Sequence, residues 1–274
     1  MKAIITVSDL HVGSTAGLCL PRTMVVDQGS YSPNKYQKTL RKYWVHFWRE
    51  WVPEMVKGAK LVALVINGDA IDGVHHGTVN IISNSLEVQE KAAVELIQEI
   101  REICPKKIDE IYIIKGSEAH TEVNGQCEER IAKQVGAVPL DKESASYQRW
   151  IELEDVVFQF AHNIGVTSSA AYETSAPMRE LVAALTEAAQ WGQPLPDVVV
   201  RSHRHRFVPV AIPSQHGRIQ CVITPGWQLR TPHVERIDRM RMPHIGGVVF
   251  KCEEGICDLR EKIYPLPGPK ARQI

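Results

Sequence analysis

Asp9 and His11 stand two residues apart where the apolar run Ala3-Ile4-Ile5-Thr6-Val7 stops, so a carboxylate and an imidazole leave a buried strand side by side. Such a pair can hold a metal ion. The arrangement recurs along the chain. The run Leu61-Val62-Ala63-Leu64-Val65-Ile66 leads into Asn67-Gly68-Asp69-Ala70-Ile71-Asp72, and Ile111-Tyr112-Ile113-Ile114 leads into Lys115-Gly116-Ser117-Glu118-Ala119-His120. Val156-Val157-Phe158-Gln159-Phe160 leads into Ala161-His162, and Val198-Val199-Val200 into Arg201-Ser202-His203-Arg204-His205. A lone Asp-x-His or His-x-His says little, because single histidines at strand ends are more often structural. Five strand exits in succession, each delivering Asp, Glu or His, place those side chains on one rim, where open α/β sheets bind ligands. Mixed imidazole and carboxylate donors suit Mn, Fe, Zn or Ni, whereas Mg and Ca prefer oxygen shells.

The elements that must position these residues are legible from periodicity. Tyr36, Leu40, Tyr43, Trp44, Phe47, Trp48, Trp51, Val52 and Met55 recur at helical spacing, an aromatic stripe that packs on a sheet in preference to stacking nucleobases. A second helix is expected over 86–103, with Ser83 or Asn84 as its cap and Cys104-Pro105 as its stop. Shorter helices are expected over 127–135 and 177–190. Later the chain is strand-rich, over 147–153, 156–161, 198–201, 207–212, 219–224, 247–252 and 258–264. Helices alternating with strands early and strands dominating late predict an α/β fold, a four-layer α-β-β-α sandwich of two mixed sheets flanked by helices. One domain over 1–274 is expected, with 225–244 as a specificity loop and the Pro-rich 265–274 as an extended tail.

The chain has 274 residues, 44% hydrophobic and 23% charged, enough for a well-buried core. Its 32 basic and 32 acidic residues cancel, so no general field draws it to nucleic acid or to an anionic membrane. No stretch reaches the ~18 to 20 apolar residues of a membrane span, and Asp9 and His11 interrupt the first apolar run too early for a secretory leader. A soluble, cytoplasmic protein with reduced thiols is expected. Of its six cysteines, Cys252 and Cys257 flank a Glu-Glu-Gly turn, where a bridge or zinc clip is the alternative to free thiols.

The ordered motifs Asp9-Leu10-His11, Gly68-Asp69-Ala70-Ile71-Asp72, Gly116-Ser117-Glu118-Ala119-His120, His162 and Ser202-His203-Arg204-His205 resemble the signature of the calcineurin-like metallophosphoesterase superfamily over about residues 1 to 225. Asp9-Leu10-His11-Val12-Gly13, the third motif and Thr224-Pro225-Gly226-Trp227 look most like phage and prophage members. The resemblance implies two divalent transition-metal ions, manganese first among Mn, Fe, Zn and Ni. Asp9, His11 and His205 would hold one, His162 and His203 the other, and Asp69 would bridge them. It further implies hydrolysis of a phosphoric ester by in-line attack of a metal-bridging hydroxide, with His120 assisting at the leaving group and Asp72 bracing the site. The third motif departs from the family, which has Asn where Ser117 stands. Glu118 is the stronger donor of the two and is expected to coordinate instead.

With Glu118 in place, three carboxylates nearly neutralise two divalent ions, and a monoanionic phosphodiester is the expected substrate, small or nucleotide-like. His75, His76, Trp227 and Arg230 are candidate substrate contacts, while alternation along a strand would turn Arg204 and Arg206 away from His205. The alternatives are a phosphomonoesterase or phosphatase, a nuclease on single-stranded nucleic acid, and, from another class, a non-catalytic scaffold. Nucleic acid is not indicated by charge.

Overall fold

The computed structural model describes residues 1–27, 29–75, 77–167, 169–214, 217–237 and 242–267. His76, residues 238–241 of the expected specificity loop and residues 268–274 of the expected tail lie outside them. In chain order the elements are β1 (Lys2–Val7), β2 (Met24–Val26), β3 (Gly29–Tyr31), α1 (Lys35–His46), α2 (Val52–Met55), β4 (Val62–Asn67), α3 (Leu86–Ile103), β5 (Glu110–Ile114), α4 (Glu118–Thr121), α5 (Gln126–Val135), β6 (Ala145–Ser146), β7 (Gln148–Leu153), β8 (Val156–Ala161), α6 (Ser175–Trp191), β9 (Val198–Arg201), β10 (Val208–Ser214), β11 (Gly217–Ile223), α7 (Pro232–Ile237), β12 (Ile245–Glu253) and β13 (Ile256–Tyr264).

Among the described residues the strands form two mixed sheets and a small β2–β3 hairpin. The first sheet runs β13-β12-β1-β4-β5-β6 and the second β10-β11-β9-β8-β7. In the first, β1, β4, β5 and β6 are parallel, β12 runs antiparallel to β1 and β13 antiparallel to β12; in the second, β8, β9 and β11 are parallel. Alternation along each strand divides the core. Ile4, Val65, Ile114 and Phe250 face Phe158, Phe160 and Val200 of the opposing sheet. Ile5, Val7, Leu64, Ile66 and Ile113 turn the other way, against the helices. Leu181 of α6 covers the outer face of the second sheet at Val199, Ile219 and Cys221. The result is the expected four-layer α-β-β-α sandwich.

The aromatic stripe packs as its spacing predicts: Leu40, Trp44, Phe47, Trp48 and Val52 are fully buried. Each such aromatic contributes on the order of 2–3 kcal/mol through burial. The helix is not continuous, because a π-helical turn at Phe47–Trp51 separates α1 from α2. α3 spans the expected residues, but Ser85 is its cap, accepting from the Val88 amide. Ser83 instead donates to Asp27 and accepts from the Ser85 amide, so the expected caps lie one or two residues too early. The stretch 225–244, expected to be irregular, contains α7. No helix among the described residues is long and apolar enough to cross a membrane.

Candidate metal centre

Strand register brings the motif residues together. β1 and β4 are parallel with Val7 opposite Ile66, so their exits run side by side: the Asp9 amide donates to Gly68 O at 3.0 Å and the His11 amide to Asp69 O at 3.1 Å. β5 ends with Ile114 opposite Asn67, which sets Gly116 beside Asp69. A Cβ at Gly116 would collide with the Asp69 carboxylate and amide, and only glycine permits that approach. On the second sheet β8 and β9 are parallel, and the Ser202 amide donates to His162 O. The C-terminal ends of five strands thus meet on one rim.

Two donor sets that share no residue stand side by side, Asp9–His11–His205 and Asp69–His162–His203, the ligand atoms within each lying within 4.8 Å of one another, and a third group, His11–Asp69–His120, overlaps both. Asp69 belongs to the second set yet its Oδ2 is 3.0 Å from His162 Nε2 and 4.0 Å from His11 Nε2, so it spans both. His11 Nε2 and His205 Nε2 are 3.2 Å apart, and His205 Nε2 is 3.2 Å from Asp9 Oδ1. The backbone is distorted to achieve this. Asp9, His11, Asp69, His203 and His205 all have φ between 44° and 69°, a region that costs non-glycine residues of order 1 kcal/mol or more and collects at functional sites.

The hydrogen bonds beneath the donors fix which atoms face inward. His162 Nδ1 lies 2.7 Å from Asn67 O, and a carbonyl only accepts, so Nδ1 carries the proton and Nε2 points at the carboxylates. His11 Nδ1 is 3.0 Å from Asp72 Oδ1 in the same arrangement, a carboxylate behind a candidate ligand histidine. Asp72 is buried and also accepts from Gln228 Nε2 at 3.1 Å. His120 Nδ1 donates to Asp72 O at 2.5 Å, and its ring packs edge-on against His11 at 4.6 Å. Below these, buried Ser8, Thr224, Ser202 and Asn67 form a chain of hydrogen bonds joining the two sheets.

The charges are interdependent. Burial alone would raise Asp9, but the charge of the adjacent His205, with that of His162, brings it down to about 2. Burial likewise opposes ionisation of Asp69, and His162 overrides it, holding the group below the usual carboxylate range. Burial would lower His162, yet Asp69 and Asp9 push it up to about 10. His205 is raised for the same reason by Asp9 against burial, whereas burial holds His11 and His203 down. The charged form is thus favoured at His162 and His205, the two imidazoles facing the carboxylates, in the metal-free chain. Buried Glu128 accepts from the amides of Ala70 and Gly116, and burial followed by the Asp69 charge raises it to about 8.

Asp9 Oδ1 and His162 Nε2 are buried and lack any aligned hydrogen-bond partner. They face only other ligand-type atoms, a donor set whose chemistry suits a divalent transition ion. The residues present fit such ions.

Glu118 does not join this cluster. It is exposed at the first position of α4 and belongs to none of the donor groups found among the described residues. Ser117 takes the place: its amide donates to Asp69 Oδ1 at 2.8 Å and its hydroxyl to the same carboxylate at 3.2 Å. Trp227 also departs from the expectation, for it is fully buried against Trp44 and Phe47 and faces away from the cavity. Arg204 and Arg206 were expected to turn away from His205, but β9 ends at Arg201 and alternation does not extend to them. Both line the same cavity of about 300 Å³ as His11, Asp69, His120, His203, His205 and Arg230, and both bond to Glu173. His75 stands behind the site, edge-on to His120 at 4.5 Å and 3.7 Å from Asp72. Gln228, Glu128 and the serine–threonine chain were not singled out by sequence, and no spacing signal marks them.

No family profile matches the sequence, and no curated protein matches it. Solved structures with a related outline include Vps29 in complex with zinc from Entamoeba histolytica, at 9% identity, 94% coverage of this chain, 98% of that one and a TM-score of 0.38. A conserved protein from Streptococcus pneumoniae described as a predicted phosphoesterase has 12% identity, 96% and 93% coverage and a TM-score of 0.37. A metallophosphoesterase from Sphaerobacter thermophilus has 10% identity, 96% and 89% coverage and a TM-score of 0.38. Scores this low say nothing of activity.

Proposed function

We propose that this chain is a metal-dependent hydrolase of phosphoric esters. The observation that carries the proposal is the pair of buried donor sets, each with one carboxylate and two imidazoles, spanned by Asp69 at the floor of a cavity. Asp9, His11 and His205 would hold one divalent ion and Asp69, His162 and His203 the other. Two such ions lower the pKa of a water and polarise a phosphoryl oxygen. The chain's own groups do the rest. Asp72 holds His11 in one tautomer and orientation, and the Asn67 carbonyl does the same for His162. His120, anchored through Nδ1, leaves Nε2 free, and in its imidazolium form it would hand the Nε2 proton to the departing alkoxide and be left as the Nδ1–H imidazole. Arg204, Arg206 and Arg230 line the cavity wall, Arg206 paired with the Glu173 carboxylate.

The placement of Glu118 bears on the choice of substrate. With two carboxylates in the donor sets where three were expected, the loaded site would carry more positive charge, and the charge argument for a diester weakens. A dianionic phosphomonoester is the better partner of such a site. The test is turnover of a chromogenic aryl monoester and the matching diester, with Mn, Zn and Ni added separately to chelator-treated protein. Metal-dependent hydrolysis with the monoester faster is expected. Faster diester turnover would reverse the substrate assignment, and a protein that binds no metal and hydrolyses neither would leave the scaffold reading standing.

A further inference from the structure

Cys252 and Cys257 face one another across the β12–β13 hairpin, and its register determines how closely. The hairpin turns on Glu254 and Gly255, whose φ values of 50° and 76° are the left-handed pair of a two-residue loop. Glu253 and Ile256 close that loop as the hydrogen-bonded pair, so the next pair outward, Cys252 opposite Cys257, occupies a non-hydrogen-bonded position. Cα atoms at such positions approach to about 4.5 Å, inside the span of roughly 4.4–6.8 Å that a disulfide bridges. Directly opposed residues also point to the same face. Cys252 is fully buried between the sheets and Cys257 packs against it. Cys252, ahead of burial, holds the Cys257 thiol above its ordinary value, so its thiolate is scarce and exchange with a small disulfide is slow, on the scale of hours. Both are free thiols in this structure.

We propose that Cys252 and Cys257 form a reversible cross-strand disulfide, a redox-modification site whose co-substrate is a low-molecular-weight disulfide. Cys257 is partly exposed and lines a cavity of about 730 Å³ with Val210, Gly217, Gln220 and Asp258, so it meets the oxidant first. Its thiolate attacks one sulfur of the small disulfide, whose S–S bond breaks; a mixed disulfide forms and one small thiol leaves with a proton. The Cys252 thiolate, its proton passed to solvent, then attacks the Cys257 sulfur, forming the internal bond and expelling the second small thiol. Two protein thiols are oxidised by two electrons, and one small disulfide is reduced to two thiols. This site lies at the opposite end of the first sheet from the metal centre, since Cys252 pairs with Lys2 whereas Asp9 comes after the far end of β1. It is independent of the function proposed above.

The experiment incubates the purified chain with oxidised glutathione at pH 8 and reads the tryptic peptide spanning residues 252–260, which carries both cysteines. Loss of about 2 Da from that peptide, reversed by dithiothreitol, is expected, together with a rise in Tm of about 4 °C from closure of a short loop. The Cys257→Ser variant should show neither change. A persistent glutathione adduct on Cys257, or two cysteines that remain alkylatable after oxidation, would overturn the proposal. Because Cys257 is the partly exposed partner, its serine variant keeps the buried Cys252 packing and is expected to fold.

Discussion

Asp9–His11–His205 and Asp69–His162–His203 are made of the same residue types, yet they are braced by different means. In the first set His11 leans on the Asp72 carboxylate, which is itself held by Gln228. In the second set His162 leans on the peptide carbonyl of Asn67, at the end of β4. A side-chain brace can be removed by substitution, whereas a peptide carbonyl can be shifted only through the backbone. The first set is therefore open to tuning by side chains, and the second is fixed by strand register and by the glycines that let the strand ends approach.

Asp69 is where the comparison collapses, because it reaches both sets. Asp69→Asn removes the charge that keeps His162 protonated and the atom that spans the two groups. We predict a loss of at least about 10³-fold in metal-dependent turnover, with bound metal falling at both positions by elemental analysis. If metal content stayed at the wild-type value, Asp69 would not be shared. Gly68→Ala separates the sets next. Gly68 has φ of 85°, and a Cβ there would strike the His162 ring, so the variant is expected to lose about 1–3 kcal/mol of stability and most of the metal held by the second set alone. Thermal unfolding and metal stoichiometry read the two effects separately. Asp72→Asn is the matching change in the first set, and roughly 10- to 100-fold weaker binding of one metal is expected, with the fold intact. Equal loss from both sets would show that the braces are not independent.

Protonation sharpens the contrast within the second set. His162 rises from 6.5 to about 10 in the folded, metal-free chain. A raised folded-state pKa stabilises fully below the unfolded value and ceases to do so as pH climbs through the folded one. The stability difference between metal-free wild type and His162→Gln should thus be constant below about pH 6.5 and shrink toward about pH 10. Asp9, lowered from 3.8 to about 2, behaves oppositely, stabilising above its unfolded value and failing as pH falls through the folded one. Since an ion must displace the His162 proton, metal affinity should weaken on acidification. Titration calorimetry in buffers of different ionisation heat would count that proton, and a count of zero would contradict the assignment.

Much of the site was legible because buried parallel strands write themselves as uninterrupted apolar runs, and the residues just past each run are forced to the sheet's end. That logic placed Asp9, Asp69, His162, His203 and His205 together from positions far apart in the chain. It failed wherever the decisive geometry was not periodic. Arg204 and Arg206 lie beyond the end of β9, where His203 and His205 take positive φ, and a two-residue alternation has no meaning there. Trp227 sits next to residues that touch the site, its amide bonded to Asp9 O, but the ring turns into the core formed with Trp44. Ser8, Thr224, Ser202 and Asn67 assemble only when both sheets are stacked, and nothing in their spacing announces it.

The smallest effect is expected where sequence chemistry pointed most firmly. A carboxylate outranks a hydroxyl as a metal donor, which favoured Glu118 over Ser117, but local helix geometry decides otherwise. Ser117 is the residue before α4, extended at φ −76° and ψ 145°, so its amide and hydroxyl are free to turn toward Asp69. Glu118, the first helical residue, is carried outward and exposed. Glu118→Gln should therefore change kcat and metal content by less than about twofold, as exposed surface substitutions do. Ser117→Ala, which removes the hydroxyl's contacts to both Asp69 oxygens and keeps the amide's hydrogen bond, should cost roughly three- to tenfold in kcat/KM, the equivalent of about 1 kcal/mol. Measured side by side on the same aryl phosphate, a larger loss from Glu118→Gln than from Ser117→Ala would return Glu118 to the centre, restore a third carboxylate to its charge and revive the diester as the preferred substrate.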